Sequence, residues 1–287
     1  MGVGILMLIS FKNANGDTFP ISGNYALKNW WGFGEIPTDI KTSKAPYQVG
    51  VSHIDTIVEP RFFGFDFTIL GENRQEIFDR RLLIIKHFNT ILGPGTLIWE
   101  QEDGTTYYID CIAKATLPEG EAQSRVHQVV IVELFAPNPY WYDPTQWEQV
   151  MVGFSGGFSL PFSLPVSFGI VGSQVEVNNL GNVETPVLIY LYGEVVNPVI
   201  QNLTTDEEIS VVQTVPDGDI LIINTAFGEK SAMILCGGEY ENAFEYVDPD
   251  SIFWKLPPGE STIRYTVTSQ GANARCILYY YHRFSGV

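Results

Sequence analysis

The chain is 287 residues long, with 45 % hydrophobic and 17 % charged residues. That balance belongs to a folded protein with a core and excludes a disordered segment. Thirty-three Asp and Glu against 16 Lys and Arg give a net charge of −17, which leaves few cations to displace counterions and argues against sequence-specific nucleic-acid binding.

The length suits two domains better than one. Gly 27, Pro 17 and 13 % aromatics point to many short strands and turns. Cys111, Cys236 and Cys276 are odd in number and unclustered. They form neither a disulfide framework nor a Cys-x-x-Cys site, which implies synthesis in a reducing compartment. The opening "MGVGILMLISFK" has no basic residue before its apolar run and is too short to span a bilayer. It reads as a buried first strand, with no membrane role.

Asn15-Gly16-Asp17 between apolar runs predicts a β-hairpin. Asn29 to Pro46, punctuated by Gly and Pro, reads as a long loop. The stretch from Val49 to Gly71 then alternates, with Phe63, Phe65, Phe67 and Ile69 on one face of a strand. One helix is expected from "ENRQEIFDRRLLIIKHFN", with Ile77, Phe78, Arg81, Leu82, Ile85 and Phe88 at helical spacing. Glu72 and Glu76 lie near its start and Lys86 and His87 near its end, as the helix dipole favours. "LGPGT" stops it. A hairpin turning at Asp103-Gly104 and a strand through "RVHQVVIVELFA" complete an α+β half.

Beyond Trp147 no helical period remains. Runs such as "SQVEVNN", "PVLIYLYG", "DILIINT", "SAMILCG", "SIFWKL", "STIRYTVT" and "RCILYYYHR" recur between turns. They predict an antiparallel sandwich or jelly roll. The fold class is therefore mainly β with one long helix: an N-terminal α+β domain over 1–139 and a C-terminal β-sandwich over 140–287.

Chemical motifs are weak. "GFSGG" around Ser155 fits G-x-S-x-G, and Asp248 and His282 complete the order Ser…Asp…His. A nucleophile elbow needs a helix directly after the serine. Pro161 and Pro165 forbid one. His53, His87, His127 and His282 share no ligand spacing. Asp217-Gly218 is a turn pair before it is a ligand. No enzyme, metal site or cofactor is expected.

The seam between the halves is "VELFAPNPYWYDPTQW", Val132 to Trp147. Tyr140, Trp141, Tyr142 and Trp147 are either a stacking surface for sugars or the packed core of an interdomain joint. Pro137, Pro139 and Pro144 hold the preceding residues extended, which a stiff connector requires and a sugar platform does not. The joint is the favoured reading; a carbohydrate-binding sandwich is the alternative.

"ELFAPNPYWYDP" resembles the segment joining the two domains of siphophage distal tail proteins (Dit). The second domain of that family is resembled by "VEVNNLGNVETPVLIYLYGEVVNP", with Asn179, Gly181, Asn182 and Pro186, then Gly193 and Asn197-Pro198. "LPPGES" (Leu256 to Ser261) suits the same pattern. "RFFGFDFTILGENRQEIFDRRLLIIKHFN" resembles the strand and helix of its ring-forming domain. The resemblance covers nearly the whole chain. It implies a structural virion protein at the tail tip, assembled in the host cytoplasm as a homo-hexameric ring. Its implied partners are the tail tube protein on one side and a tail-associated tail-tip protein on the other. It also implies a galectin-like second domain, no catalytic residues and no cofactor.

Overall fold

A computed structural model describes residues 8–21, 25–34, 36–116, 127–152 and 171–287. The chain divides into two units, Met1–Pro144 with Phe284–Val287, and Thr145–Arg283. Each has its own hydrophobic cluster. Strands dominate both, and one α-helix is present among the described residues.

In the first unit the strands are β1 (Leu8–Lys12), β2 (Thr18–Pro20), β3 (Tyr25–Trp31), β4 (Thr38–Ser43), β5 (Ser52–Val58) and β6 (Arg61–Leu70). Helix α1 (Arg74–His87) follows, then β7 (Pro94–Glu100), β8 (Thr106–Thr116), β9 (His127–Ala136) and β10 (Trp141–Tyr142). The main sheet runs β2-β1-β7-β8-β9-β6-β3. Gly16 and Gly104 adopt positive φ at the turns of the β1–β2 and β7–β8 hairpins, as their sequences predict.

Strand β6 is the centre of this core. Phe63, Phe65, Phe67 and Ile69 point inward and are fully buried. Phe33 meets Phe63, Phe65 and Trp99 with centroids 5.0–5.7 Å apart. On the opposite face of β6, Gly64 has no side chain because the Trp31 ring lies over it. A Cβ there would fall 1.8 Å from that ring.

Helix α1 is capped by Asn73, whose side chain accepts from the Glu76 amide at 3.0 Å. Ile77 and Ile84 are its buried residues, with Phe88 buried just beyond its end. Phe78, Leu82 and Ile85, expected on the inner face, are exposed instead. The helix carries apolar residues on two sides, and the stripe through Ile77 and Ile84 is the one that meets the sheet.

The expected loop over Asn29 to Pro46 is also corrected. It contains the end of β3 and all of β4, and β4 pairs with β5 as a separate two-stranded sheet.

The second unit comprises β11 (Trp147–Met151), β12 (Val171–Asn179), β13 (Thr185–Pro186), β14 (Leu188–Tyr192), β15 (Val195–Val196) and β16 (Val199–Asn202). Next come β17 (Glu207–Ser210), β18 (Thr214–Val215), β19 (Ile220–Asn224), β20 (Ser231–Cys236) and β21 (Glu239–Asn242). The last are β22 (Lys255–Leu256), β23 (Gly259–Val267), β24 (Ser269–Gln270) and β25 (Arg275–Tyr280); β26 (Arg283–Phe284) joins the sheet of the first unit. A six-stranded sheet, β11-β25-β14-β19-β20-β21, and a four-stranded one, β12-β23-β16-β17, share a single core. Ile189, Leu191, Leu221 and Leu278 of the first pack with Ile200, Ile263 and Tyr265 of the second. This is an antiparallel β-sandwich.

"SIFWKL", expected as a strand, is irregular until Lys255. Trp254 is buried there, and its indole N–H donates to the Ile200 carbonyl at 3.2 Å. Two short pairings, β13–β22 and β18–β15–β24, close the ends of the unit.

All three cysteines are free. Burial pushes the Cys111 and Cys276 thiols far above their ordinary range. Cys236 is exposed, and a hydrogen bond to Asp219 raises its pKa. A thiol reagent at about pH 8 should therefore label Cys236 alone in the native protein, because reaction requires an accessible thiolate. Labelling of Cys111 or Cys276 before denaturation, read by mass spectrometry, would contradict this packing.

Candidate functional site: the connecting segment and an uncovered hairpin

The connecting segment begins where β9 ends. Pro137 follows Ala136 and cannot donate to the sheet ladder, so pairing stops there. The Asn138 side chain accepts from the Tyr140 amide at 3.4 Å, bending the chain back toward the first unit. Trp141 then enters the aromatic core. Its ring lies 5.8 Å from Phe33, 5.4 Å from Phe63 and 5.9 Å from Trp99, and it is fully buried. Tyr142 pairs with Tyr108, and its hydroxyl donates to Asp110 at 2.9 Å. Tyr140 is half-buried.

Trp147 belongs to the second unit. It pairs with Tyr280 as β11 joins β25, and its ring lies 5.0 Å from that of His282. The four aromatics are thus divided between two units. Trp141 has no exposed face to offer a ligand.

The C-terminus is a part of this region that sequence reasoning missed. The chain returns to the first unit at Phe284. Strand β26 pairs with β10, and Phe284 meets Tyr107 edge-on at 5.1 Å. Arg61 is buried, and its guanidinium donates to the carbonyls of Gly34 and Ser285. Desolvation lowers its pKa, yet guanidinium remains charged at any working pH. Among the described residues no ion pair is made by Arg61, so backbone oxygens of Gly34 and the tail solvate this cation. The sequence carries no signal for such a contact, since a backbone carbonyl accepts a hydrogen bond whatever its side chain is.

The Asn179 loop explains itself within the second unit. Asn179 is buried, donates to the carbonyls of Val183 and Leu256 at 3.0 and 3.1 Å, and accepts from the Gly181 amide. Gly181 lies against the Arg283 carbonyl, where a Cβ would come within 2.1 Å. The Leu180 amide donates to His282 Nδ1 at 3.1 Å.

His282 is therefore engaged in holding a loop, and Asp248 accepts from the Asp250 amide in a turn. Ser155 lies outside the described residues. His53 bonds Thr56 on β5, and His87 bonds the Phe11 carbonyl. Among the described residues no three His, Cys, Asp or Glu gather as a metal site, and no helix is long and apolar enough to cross a membrane.

The β4–β5 hairpin is different in kind. Its register places Thr38 opposite Val58 and Ile40 opposite Thr56, with Ile54 next along the same face. That face is uncharged and mostly β-branched. Asp39, Lys41, Asp55 and Ile57 occupy the other. Ile40 is 61 % exposed and Ile54 64 %, and every residue of β5 is exposed. Tyr47 and Val49 in the turn are fully exposed. A two-stranded sheet is marginal in water without something to pack on. Sequence reasoning missed the pairing: it took β4 as loop and ran β5 together with β6 as one alternating strand.

Two family models match the chain. One, described as a phage tail protein RIFT-related domain, covers residues 15–132. The other, a siphovirus-type tail component C-terminal domain, covers residues 180–284. Among solved structures, the Dit protein of phage SPP1, described as a paradigm of the hub adsorption apparatus of phages infecting Gram-positive bacteria, aligns with a TM-score of 0.68 at 11 % identity. The alignment covers 97 % of this chain and 99 % of that one. A chain of the phage P2 baseplate in its activated, Ca-containing form aligns with a TM-score of 0.50 at 12 % identity, over 96 % of this chain and 98 % of that one. No curated protein sequence matches.

Removing Phe284–Val287 should destabilise the first unit by about 2–4 kcal/mol, through lost apolar contact and an orphaned buried cation. Arg61→Met in the shortened chain should recover part of that loss, since it removes the orphan. Equal denaturant midpoints for the full and shortened chains would contradict the contact.

Proposed function

The chain belongs to the siphophage distal tail (Dit) proteins, structural components of the phage tail and baseplate, and from that premise we propose that it assembles as a homo-hexameric ring. The ring joins the tail tube to the tail-tip adsorption apparatus of a long non-contractile tail. Its partners are the tail tube protein on one side and a tail-associated protein on the other. The N-terminal unit forms the ring, and the C-terminal unit, Thr145–Arg283, forms a galectin-like sandwich. The protein is not an enzyme and uses no cofactor; it is put together in the host cytoplasm and resides at the virion tail tip.

The observation that carries the ring is the uncovered face of the β4–β5 hairpin. Thr38, Ile40, Ile54, Thr56 and Val58 gain stability only when something apolar covers them. A second copy supplies such a surface: the exposed stripe of Phe78, Leu82 and Ile85 on α1. Hairpin and stripe are different surfaces, so a contact between them is head-to-tail, and head-to-tail contacts build a ring when the rotation from copy to copy divides a full turn.

The connecting segment serves the same assembly. Tyr140, Trp141 and Tyr142 anchor the chain in the first unit as it leaves, and Trp147 anchors it in the second. The chain passes between the units a second time near Arg283. The three prolines hold the residues before them extended, which stiffens the connecting backbone itself.

Ile40→Asp combined with Ile54→Asp should convert the oligomer to monomer. Each charge placed in a desolvated contact costs about 2 kcal/mol or more, and both residues are exposed within one chain. Light scattering checks the mass, and an unchanged melting temperature shows that the fold survives. An oligomer of undiminished mass in the double variant would overturn the role given to the hairpin.

A further inference from the structure

The turn between β4 and β5 is held in a conformation that its third residue resists. The Gln48 amide donates to the Ala45 carbonyl at 3.1 Å. The Gln48 side chain fixes the turn further: its oxygen accepts from the Ala45 amide and its nitrogen donates to Ser52 Oγ, both at 2.9 Å. Tyr47 is left with a φ of 64°, a left-handed value for which glycine is the ordinary choice at this place in a turn. Tyr47 is also fully exposed, so burial within its own chain does not offset the strain.

A small cavity in the same unit has the chemistry to take a tyrosine side chain. It lies between the β1–β2 turn and the C-terminal end of α1, with a volume of about 260 Å³ and apolar walls from Leu83 and Leu92. Asn13 lines it and is buried. Its side-chain oxygen already accepts from the Asn15 and Asp17 amides, which leaves its NH₂ group as a donor. His87 also lines the cavity. Its Nε2 donates to the Phe11 carbonyl, which leaves Nδ1 of the neutral ring as an acceptor. Lys86 and Asp17 add one charge of each sign. A donor and an acceptor between two leucines, with the charges balanced, suit a neutral ring bearing one hydroxyl better than an ion.

Tyr47 and the cavity it fits belong to different copies, because an exposed Tyr47 is not seated in its own chain. On α1, Lys86 neighbours both Leu82 of the exposed stripe and Leu83 of the cavity, so the two surfaces adjoin. Strand β4 runs from Ile40 to Ser43 before the turn begins, roughly 10 Å at about 3.3 Å per residue. A helix with its side chains is about 10–12 Å across. A hairpin laid on the stripe therefore carries its tip over the helix to the cavity. We propose that Tyr47 of one copy enters the cavity beside α1 of the next, and that the strained turn serves to present it. This rests on the reading of the chain as a ring component and names the anchor of the contact.

Tyr47→Gly in the full chain tests it. Glycine takes a positive φ without steric cost, so the variant should melt no lower than the parent when both are compared as monomers in dilute solution. Its assembly should nevertheless be weaker by about thirtyfold or more, the loss of an aromatic anchor, read by sedimentation over a concentration series. The position of the contact is read by mixing two proteins that both carry Cys236→Ser, one with Tyr47→Cys and the other with Leu83→Cys. Oxidation should join position 47 of one to position 83 of the other, identified by mass spectrometry. A parent that assembles while Tyr47→Gly assembles equally well overturns the anchor and leaves the ring standing. A lower melting temperature of the Tyr47→Gly monomer, or the absence of the 47–83 link, overturns the anchor as well. A parent that stays monomeric at every concentration overturns the ring, and the anchor with it.

Discussion

One face of β6 is a wall of rings, and the first unit is arranged to keep water from it. Phe63, Phe65 and Phe67 are fully buried, each aromatic ring withdrawing on the order of 150–250 Å². Phe33, Trp99 and Trp141 cover one part of that wall. Phe19, Phe88 and helix α1 cover another. Arg61, at the start of the same strand, can be buried only because Gly34 and Ser285 bring carbonyls to it. The connecting segment and the C-terminal tail are thus both held by contacts to a single strand. A change that loosens β6 loosens the two places where the chain passes between its units.

Against this well-covered strand, the β4–β5 hairpin stands out by what it lacks. Its uncharged face has the same β-branched chemistry as a core strand, yet Ile40, Ile54 and Val58 on it are exposed. The helix shows the same excess, with Phe78, Leu82 and Ile85 outward although Ile77 and Ile84 satisfy the sheet. Scattered exposed apolar residues are ordinary, whereas contiguous ones mark contacts. The ring proposed above requires two such surfaces on each copy, one for each neighbour.

What could be read from sequence followed how strongly burial constrained it. The alternation of Phe63, Phe65, Phe67 and Ile69 was legible, because a strand with one buried face leaves a period of two. The turns at Gly16 and Gly104 were legible because positive φ selects glycine. The helix was legible in its extent and end charges but not in its orientation, since apolar residues on two faces give two stripes and only packing chooses between them. The first strand of the hairpin was hidden because its residues are exposed, so no core imposes a burial period on them. The role of Ser285 was hidden too: a backbone carbonyl accepts a hydrogen bond whatever the side chain is. At the connecting segment, aromatics and prolines marked the place, but that Trp141 belongs to the first core and Trp147 to the second sheet required coordinates.

The central claim is that the exposed apolar surfaces of the first unit are shared between copies of this chain in a closed ring. Negative-stain imaging of the purified protein tests it most directly. Class averages with sixfold symmetry around a central opening are the predicted result. A uniform population of single 32.1 kDa chains, persisting as the concentration is raised, would contradict it.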